Sequence, residues 1–192
     1  MIAIVDYGAG NLMSIKNALD FIKVKSKITD KAEEIIKADK VILPGVGNFG
    51  NVMSNLEDRK LTKTIKRFIE SRKPFLGICI GLQILFEESE ESPGIKGLCI
   101  LKGKVVKFKK GKIPQIGWNF VKSKDKLLKD GYYYFVNSFY VTPKDKSVIL
   151  AETDYFTKFT SAIKKENIIA MQFHPEKSGS IGLKFLTKWC RC

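Results

Sequence analysis

A single stretch of the chain, residues 75–86, places the strongest constraint on how the protein can fold. A short apolar run predicts a buried strand, and apolar residues from Ile80 onward recur at helical spacing. Cys79 stands between the two patterns, with Gly77 and Gly81 two residues to either side. A sharp strand-to-helix turn brings backbone close to backbone and leaves no space for a Cβ at such glycines. The stretch therefore predicts a nucleophile elbow in which the nucleophile is a cysteine.

The position of Cys79 would favour nucleophilic chemistry. A thiol at the N-terminus of a helix lies beside free amide N–H groups and the positive end of the helix dipole, and both favour the thiolate. A thiolate attacks carbonyl carbons, and the backbone N–H of Ile80 would point at the oxyanion that forms. Taken alone, the motif is equally compatible with a small, inert cysteine packed between two glycines.

Strands and helices alternate in the first half of the chain. The apolar patterns predict strands at residues 2–5, 25–29 and 40–43 and helices at residues 12–22, 32–37 and 61–69. Such alternation indicates right-handed crossovers and a mostly parallel sheet with helices on both faces.

The pattern changes from Gly97 onward, where short apolar runs are separated by turn residues. These runs predict antiparallel strands at residues 97–108, 117–121, 132–141, 147–152, 159–163 and 168–173. Residues 164–167 are typical of a hairpin turn, and Ser178 is expected to cap a last helix. No internal repeat or linker interrupts the chain, so we expect one α/β domain over residues 1–192.

Two glycine-containing loops follow predicted strands. Gly8 and Gly10 suggest a dinucleotide loop, but Met13 stands where the third glycine would be, so a tight turn is the better interpretation. Residues 44–50, Pro-Gly-Val-Gly-Asn-Phe-Gly, follow a buried strand at the edge where open parallel sheets bind ligands. The loop is either an ordinary turn or a source of free amides, in which case Val46 or Gly47 supplies the second oxyanion donor.

A cysteine nucleophile needs a base, and His174 is the only histidine in the chain. It follows a predicted strand, and Glu176 lies two residues further on. Pro175 between them restrains the backbone and can hold both side chains on one side of a rigid turn. A carboxylate that accepts one ring N–H leaves the other nitrogen facing the thiol. These residues complete a predicted Cys-His-Glu triad.

The composition limits the classes of function. The formal net charge is +14 at pH 7, but the lysines are spread over the surface, are densest at residues 102–112, and accompany no nucleic-acid-binding motif. Lysine-rich faces of this kind usually serve solubility, so we predict no nucleic-acid partner. The longest apolar run is too short to span a bilayer and no signal sequence is evident, which predicts no membrane association and a cytoplasmic location.

The cysteines show no disulfide framework, and one histidine is too few for a zinc site at standard spacings. We therefore predict no metal and no organic cofactor. Cys190 and Cys192 form a C-x-C sequence that we interpret as part of the C-terminal tail.

The elbow at residues 77–83, the loop at residues 44–47 and His174-Pro-Glu176 resemble, in order and spacing, the three motifs of the class I glutamine amidotransferases. Residues 6–12, 115–119, 134–138 and 174–178 are similar, more narrowly, to the glutaminase subunits of imidazole glycerol phosphate synthase. The resemblance covers nearly the whole chain. It implies a flavodoxin-like class I amidotransferase fold, with antiparallel strands in the C-terminal half, and L-glutamine as the substrate.

The resemblance also implies roles for individual residues. Cys79 would form a glutamyl thioester, and Gln83 with Gly47 would line the glutamine pocket. The released ammonia would pass to a partner (β/α)₈-barrel cyclase subunit, giving imidazole glycerol phosphate and aminoimidazole carboxamide ribotide. The positions that would face this partner are Trp118, Asn119, Tyr134 and Lys177.

One position departs from the family pattern. Asn137 stands where the family often has histidine, which leaves open a related pathway in which the ammonia forms acetamidino groups on bacterial surface sugars. Two other classes of protein fit the sequence less well. A cysteine hydrolase or chaperone-like protein of related fold is disfavoured by Ile80, since that group has histidine directly after the elbow cysteine. A non-catalytic binding subunit would be expected to lack members of the triad.

Overall fold

The computed structural model describes all 192 residues, with twelve strands, six α-helices and two short 3₁₀ turns. The strands are β1 (Ile2–Val5), β2 (Ser26–Thr29), β3 (Lys40–Leu43), β4 (Phe75–Ile78), β5 (Glu88–Ser89), β6 (Gly103–Lys107), β7 (Gln115–Ser123), β8 (Gly131–Asn137), β9 (Phe139–Pro143), β10 (Ile149–Asp154), β11 (Lys158–Lys165) and β12 (Ile168–Met171). The helices are α1 (Leu12–Phe21), α2 (Ala32–Lys37), α3 (Phe49–Asp58), α4 (Leu61–Glu70), α5 (Ile80–Gln83) and α6 (Gly179–Arg191). The 3₁₀ turns are Lys146–Val148 and Pro175–Lys177.

One sheet runs through the molecule in the order β2-β1-β3-β4-β12-β11-β10-β7-β8. The first five strands are parallel, in the order of a flavodoxin-like sheet. From β12 to β8 the pairing is antiparallel. A branch leads from β11 through β9 to β6 with antiparallel pairing, and β5 pairs with β6 in parallel. The predicted fold class, a mostly parallel α/β sheet with antiparallel strands in the C-terminal half, is confirmed.

Both faces of the sheet are covered, which explains why the central strands are apolar without alternation. All four residues of β1, β4 and β12 are buried. Their side chains point alternately to opposite faces, and they contribute to two separate apolar cores, of 29 and 24 buried residues. None of the helices is long and apolar enough to cross a membrane.

The structure adds helix α3 to the predicted elements: its first two residues, Phe49 and Gly50, fall in the predicted loop at 44–50, and no element was predicted for the rest of it. The loop after β3 ends at Asn48, whose side chain accepts hydrogen bonds from the amides of Gly50 and Asn51 and caps the helix. Phe49, Val52 and further apolar residues then recur at helical spacing and are buried. The glycines on either side of Phe49 obscured this helix start.

Smaller corrections concern the C-terminal half. The predicted strand at 132–141 is two strands, β8 and β9, broken at Ser138, and the predicted strand at 97–108 forms only at β6. Ser178 occupies the N-cap position of α6, as predicted, but its side chain makes no capping hydrogen bond, because its hydroxyl donates to the carbonyl of His174 and accepts from the amide of Tyr134. Cys190 lies within α6 and is not a tail residue.

Candidate active site

The parallel sheet brings the three predicted motifs to one edge. The loops that carry them follow β3, β4 and β12, which are neighbours in the sheet. Carboxyl ends of parallel strands open at the same edge, so these loops converge above the sheet. The amide of Cys79 donates a 2.7 Å hydrogen bond to the carbonyl of Met171, which joins the end of β4 to the end of β12.

Cys79 has the strained backbone that an elbow requires. Its φ is 56° and its ψ is −109°, outside the regions that L-residues normally occupy. A Cβ on Gly77 would lie 2.6 Å from the carbonyl oxygen of Gly81, and a Cβ on Gly81 would lie 2.1 Å from that of Leu43. Only glycine fits at both positions, as predicted, and Cys79 is left 7% exposed at the start of α5.

His174 and Glu176 form a buried pair, as the sequence predicts. The distance between His174 Nδ1 and Glu176 Oε1 is 2.8 Å, and each side chain is 2% exposed. The backbone of His174 is tied to strand β8, because its amide donates to the carbonyl of Tyr134. The imidazole is therefore fixed in position by a side-chain partner and by the sheet.

The charge on His174 is set by its neighbours. Burial lowers the pKa of the imidazole, but the interactions with Cys79 and Glu176 outweigh burial and raise that pKa to about 10. The second ring nitrogen, Nε2, is buried and has no hydrogen-bond partner of its own. A proton on Nε2 is therefore available to a reacting group, in a site where catalytic hydrogen bonds typically shorten once substrate binds.

The loop after β3 has backbone groups that are free to bind a ligand. The backbone groups of Gly45, Val46 and Gly47 take part in no hydrogen bond. Gly47 has a φ of +129°, which favours glycine. The amide of Ile80 opens helix α5, where first-turn N–H groups have no partner within the helix. Two separate segments thus present free amide donors beside Cys79.

A cavity of about 260 Å³ lies between these segments. Its lining includes Cys79 and all four residues predicted to bind the oxyanion or the substrate, namely Val46, Gly47, Ile80 and Gln83. The volume suits a small molecule, and the cavity places that molecule directly against the thiol.

Two polar residues at the site were missed by the sequence analysis. Glu91 supplies the only ionisable side chain of the cavity lining besides Cys79. Gln172 is fully buried and bridges Gln83 and Cys79: it accepts a 3.0 Å hydrogen bond from Gln83 Nε2 and directs its own Nε2 at the thiol, 3.5 Å away. Gln172 is the one polar residue in the apolar run before His174, and this was the available signal.

Asn137, the departure from the family pattern, also lines the cavity. Its Nδ2 donates to the carbonyl of Phe139, and its Oδ1 is buried without a partner. The side chain is thus fixed by the break between β8 and β9. It offers one free acceptor next to the cavity.

The residues predicted to face a partner lie on β7, β8 and the turn after His174. Trp118 is 55% exposed and packs edge-on against Tyr134, with ring centroids 6.1 Å apart. Asn119 is partly exposed and donates to the carbonyl of Asp154. Lys177 is partly exposed in the second 3₁₀ turn.

These aromatic residues are part of a larger exposed face. Side chains alternate along β7 and β8, so Trp118 shares its face with Ile116 and Phe120, and Tyr134 shares its face with Tyr132. All three added residues are strongly exposed: Ile116 (61%), Phe120 (43%) and Tyr132 (61%). We call these five residues the aromatic face.

No group of His, Cys, Asp and Glu side chains in the structure has a metal-binding arrangement. All four cysteines are free thiols. The site itself combines a cysteine on a strained turn, a histidine held by a carboxylate, and two sets of amide donors.

This constellation on a flavodoxin-like sheet defines an amidotransferase of the triad type. Residues 3–190 match the family model described as glutamine amidotransferase class-I. The chain belongs to the class I glutamine amidotransferase family.

Comparison with individual relatives is more specific than the family model. The chain is 53% identical to the imidazole glycerol phosphate synthase subunit HisH of Methanocaldococcus jannaschii, covering 97% of this chain and 96% of the relative. It is 51% identical to the HisH subunit of Pyrococcus furiosus (99% and 98% covered) and 41% identical to that of Bacillus subtilis (100% and 96% covered).

Solved structures agree on the fold. A crystal structure described as a glutamine amidotransferase superposes with a TM-score of 0.80 at 19% identity, covering 98% of this chain and 99% of that one. The glutaminase domain of CTPS from Trypanosoma brucei, solved with bound acivicin, gives 0.62 at 15% identity, covering 99% and 93%. At these identities the likeness shows the fold alone.

Proposed function

We propose that this chain hydrolyses L-glutamine to glutamate and ammonia as the glutaminase subunit of imidazole glycerol phosphate synthase. The observation that carries the chemistry is the juxtaposition of a strained Cys79 with the buried His174–Glu176 pair at the ends of two adjacent strands. The HisH relatives, at 41–53% identity over nearly the full chain, support the assignment to histidine biosynthesis.

The geometry supports a two-stage reaction. The Cys79 thiolate attacks the side-chain carbonyl carbon of glutamine, and the oxyanion is held by the amides of Ile80 and of Val46 or Gly47. Protonated His174 gives its Nε2 proton to the amide nitrogen, the C–N bond breaks, and ammonia departs. The glutamyl group remains on Cys79 as a thioester. Neutral His174 then takes a proton from water, the resulting hydroxide attacks the thioester, and glutamate leaves with the thiolate restored. Glu176 keeps the ring oriented throughout.

The cavity supports recognition of a free amino acid. Glu91 is a carboxylate that can pair with the α-ammonium group of glutamine, and its Oε2 is held by a 2.7 Å hydrogen bond from the amide of Phe49. Gln83 is oriented by its bonds to Gln172 and to the carbonyl of Phe139. A substrate without an α-ammonium group would leave Glu91 without a counter-charge, so we propose that Glu91 selects for an amino acid.

We further propose that the aromatic face docks the cyclase subunit, a (β/α)₈ barrel, and that Asn119 and Lys177 border the contact. Exposed aromatic residues of this density are typical of protein interfaces. The face continues into the cavity, because Val136 lies on the same face of β8 and lines the cavity. A partner seated here would cover the site where ammonia is released and could take it up directly.

A paralogous glutaminase that serves sugar amidination is the alternative, and the relatives do not favour it. The sequence leaves this alternative open because Asn137 stands where the family often has histidine. Since its side chain is fixed beside the cavity by its own bond to Phe139, the change from histidine need not disturb the triad.

The test is glutamate release from glutamine by the purified chain, with and without the cyclase subunit of the same genome and the phosphorylated formimino intermediate. We expect slow hydrolysis by the chain alone, and strong stimulation with imidazole glycerol phosphate formed in the complex. Cys79→Ala, in the same complex, is expected to abolish both products. Glutamate release without stimulation by this cyclase would contradict the assigned partner, and no release under any condition would contradict the glutaminase assignment.

A further inference from the structure

One buried side chain near the site has no role in the reaction described above. Tyr7, in the turn between β1 and α1, is 0% exposed, and its hydroxyl has no hydrogen-bond partner. A buried hydroxyl normally finds a partner, because leaving it unpaired costs free energy. An orphaned hydroxyl that touches functional backbone is therefore a sign that a partner is supplied in another state.

The hydroxyl lies against the loop that carries the oxyanion donors. A Cβ on Gly45 would lie 2.2 Å from the Tyr7 hydroxyl oxygen and 2.1 Å from Ile80 Cγ2. Both side chains therefore pack against Gly45 at the position that a Cβ would occupy. Tyr7 does not line the cavity, whereas Val46, the next residue of the loop, does. The phenol thus contacts the loop from outside the cavity lining.

The loop is free to reorient its peptide groups. Its backbone makes no hydrogen bond from Gly45 to Gly47, and both glycines lack the side chain that would resist rotation. A trans peptide points its N–H and its carbonyl in opposite directions. When the N–H of Val46 turns toward the cavity, the carbonyl of Gly45 must turn away from the cavity, and the Tyr7 hydroxyl is an unpaired donor next to Gly45 outside the cavity lining.

The Tyr7 hydroxyl can donate a hydrogen bond to that carbonyl. Burial, together with the nearby Cys79 and Asp6, raises the pKa of the phenol, so the group remains a neutral O–H donor. The carbonyl of Gly45 is an acceptor without a partner in the present structure. Donor and acceptor are both unsatisfied and both adjoin the α-carbon of Gly45.

We propose that Tyr7 is a positioning residue for the oxyanion hole: its hydroxyl donates to the carbonyl of Gly45 and thereby holds the Val46 N–H toward the oxyanion formed at Cys79. This role rests on the proposed glutaminase function. It acts on the transition state and not on the bound substrate, so its loss lowers kcat and leaves KM nearly constant.

Tyr7→Phe is the test, with Tyr133→Phe as a matched control. Tyr133 is also fully buried, but its hydroxyl already donates to the carbonyl of Lys129, and it does not line the cavity. With the cyclase subunit present, we expect Tyr7→Phe to lower the glutaminase kcat roughly 3- to 10-fold, the factor that one ordinary hydrogen bond is worth. Tyr133→Phe is expected to lower the midpoint of urea unfolding and to leave kcat unchanged.

Two further readouts separate positioning from a structural effect. The first is the rate at which iodoacetamide alkylates Cys79, followed on the Cys79 peptide by mass spectrometry. This reaction forms no oxyanion, so it should proceed at the same rate in Tyr7→Phe and wild type. The urea midpoint of Tyr7→Phe should equal or exceed that of wild type, because the substitution removes an unpaired buried hydroxyl.

The outcomes distinguish this inference from the function on which it rests. An active wild type with an equally active Tyr7→Phe variant overturns the role of Tyr7 alone. A loss of kcat that is matched by slower alkylation or by a lower urea midpoint also overturns it, since the effect then lies in the thiol or the fold. A wild type that releases no glutamate in the complex overturns both proposals.

Discussion

Replacing Glu176 by glutamine is expected to lower the pKa of His174 sharply. The substitution keeps the shape of the side chain and removes the charge that lies 2.8 Å from His174 Nδ1. Because both side chains are only 2% exposed, water screens their interaction little. The effect should therefore be much larger than for an exposed ion pair.

The size of the effect follows from the balance at His174. Its pKa is raised from 6.5 to about 10, which corresponds to roughly 5 kcal/mol of preference for the imidazolium in the folded protein. Burial opposes this preference, and Cys79 and Glu176 supply it. An opposite charge at this distance typically shifts a pKa by about 1 to 3 pH units, so we expect a fall of that size in Glu176→Gln.

The assay is an NMR titration of the imidazole. His174 is the only histidine in the chain, so its ring resonances need no assignment. Glu34→Gln is the control, because Glu34 is a hydrogen-bonded carboxylate on α2 that takes no part in setting the charge on His174. Wild type and control should titrate together, and Glu176→Gln at lower pH.

Two results would refute this reasoning. A wild-type His174 that titrates near 6.5 would mean that the two anionic partners do no more than offset the effect of burial on the pKa. An unchanged titration in Glu176→Gln would mean that the 2.8 Å contact does not stabilise the imidazolium.

Three further predictions follow from the same geometry. The raised pKa of His174 adds stability that is fully present below about pH 6.5 and is lost as pH rises through about 10. The difference in the free energy of urea unfolding between wild type and Glu176→Gln should therefore shrink over this pH range. A constant difference would contradict this prediction. Gly81→Ala places a Cβ 2.1 Å from the carbonyl oxygen of Leu43, so the free energy of unfolding should fall by about 1–3 kcal/mol. An unchanged denaturation midpoint would show that the elbow is not tightly packed. Trp118→Ala should weaken binding of the cyclase subunit by about 2 kcal/mol or more in calorimetry, and an unchanged Kd would remove the aromatic face from the interface.

The parts of the fold and site that were predictable have local causes. The Gly-x-Cys-x-Gly spacing predicts the elbow because the close backbone contact at Gly77 is made with Gly81, within the same motif. His174 and Glu176 pair across one proline, so their contact is encoded in three consecutive positions. The mostly parallel sheet follows from the alternation of buried strands and amphipathic helices, which needs no long-range information.

The parts that were not predictable depend on distant packing. Glu91 reaches the cavity because it binds the amide of Phe49, 42 residues earlier, and no local pattern around Glu91 indicates this. The break at Ser138 separates two strands that are both rich in aromatic and β-branched residues, and it arises because β8 pairs with β7 while β9 pairs with β6 and β11. Pairing partners of this kind are fixed by the tertiary fold, not by the sequence of the segment.

The central claim, that Cys79 forms a covalent intermediate with glutamine, is tested most directly by trapping that intermediate. The complex with the cyclase subunit would be mixed with glutamine, quenched in acid during turnover, and examined by peptide mass spectrometry. We expect a glutamyl thioester on the Cys79 peptide, none on the peptides of the other three cysteines, and neither adduct nor turnover in Cys79→Ala. Full glutamine turnover by Cys79→Ala would contradict the account.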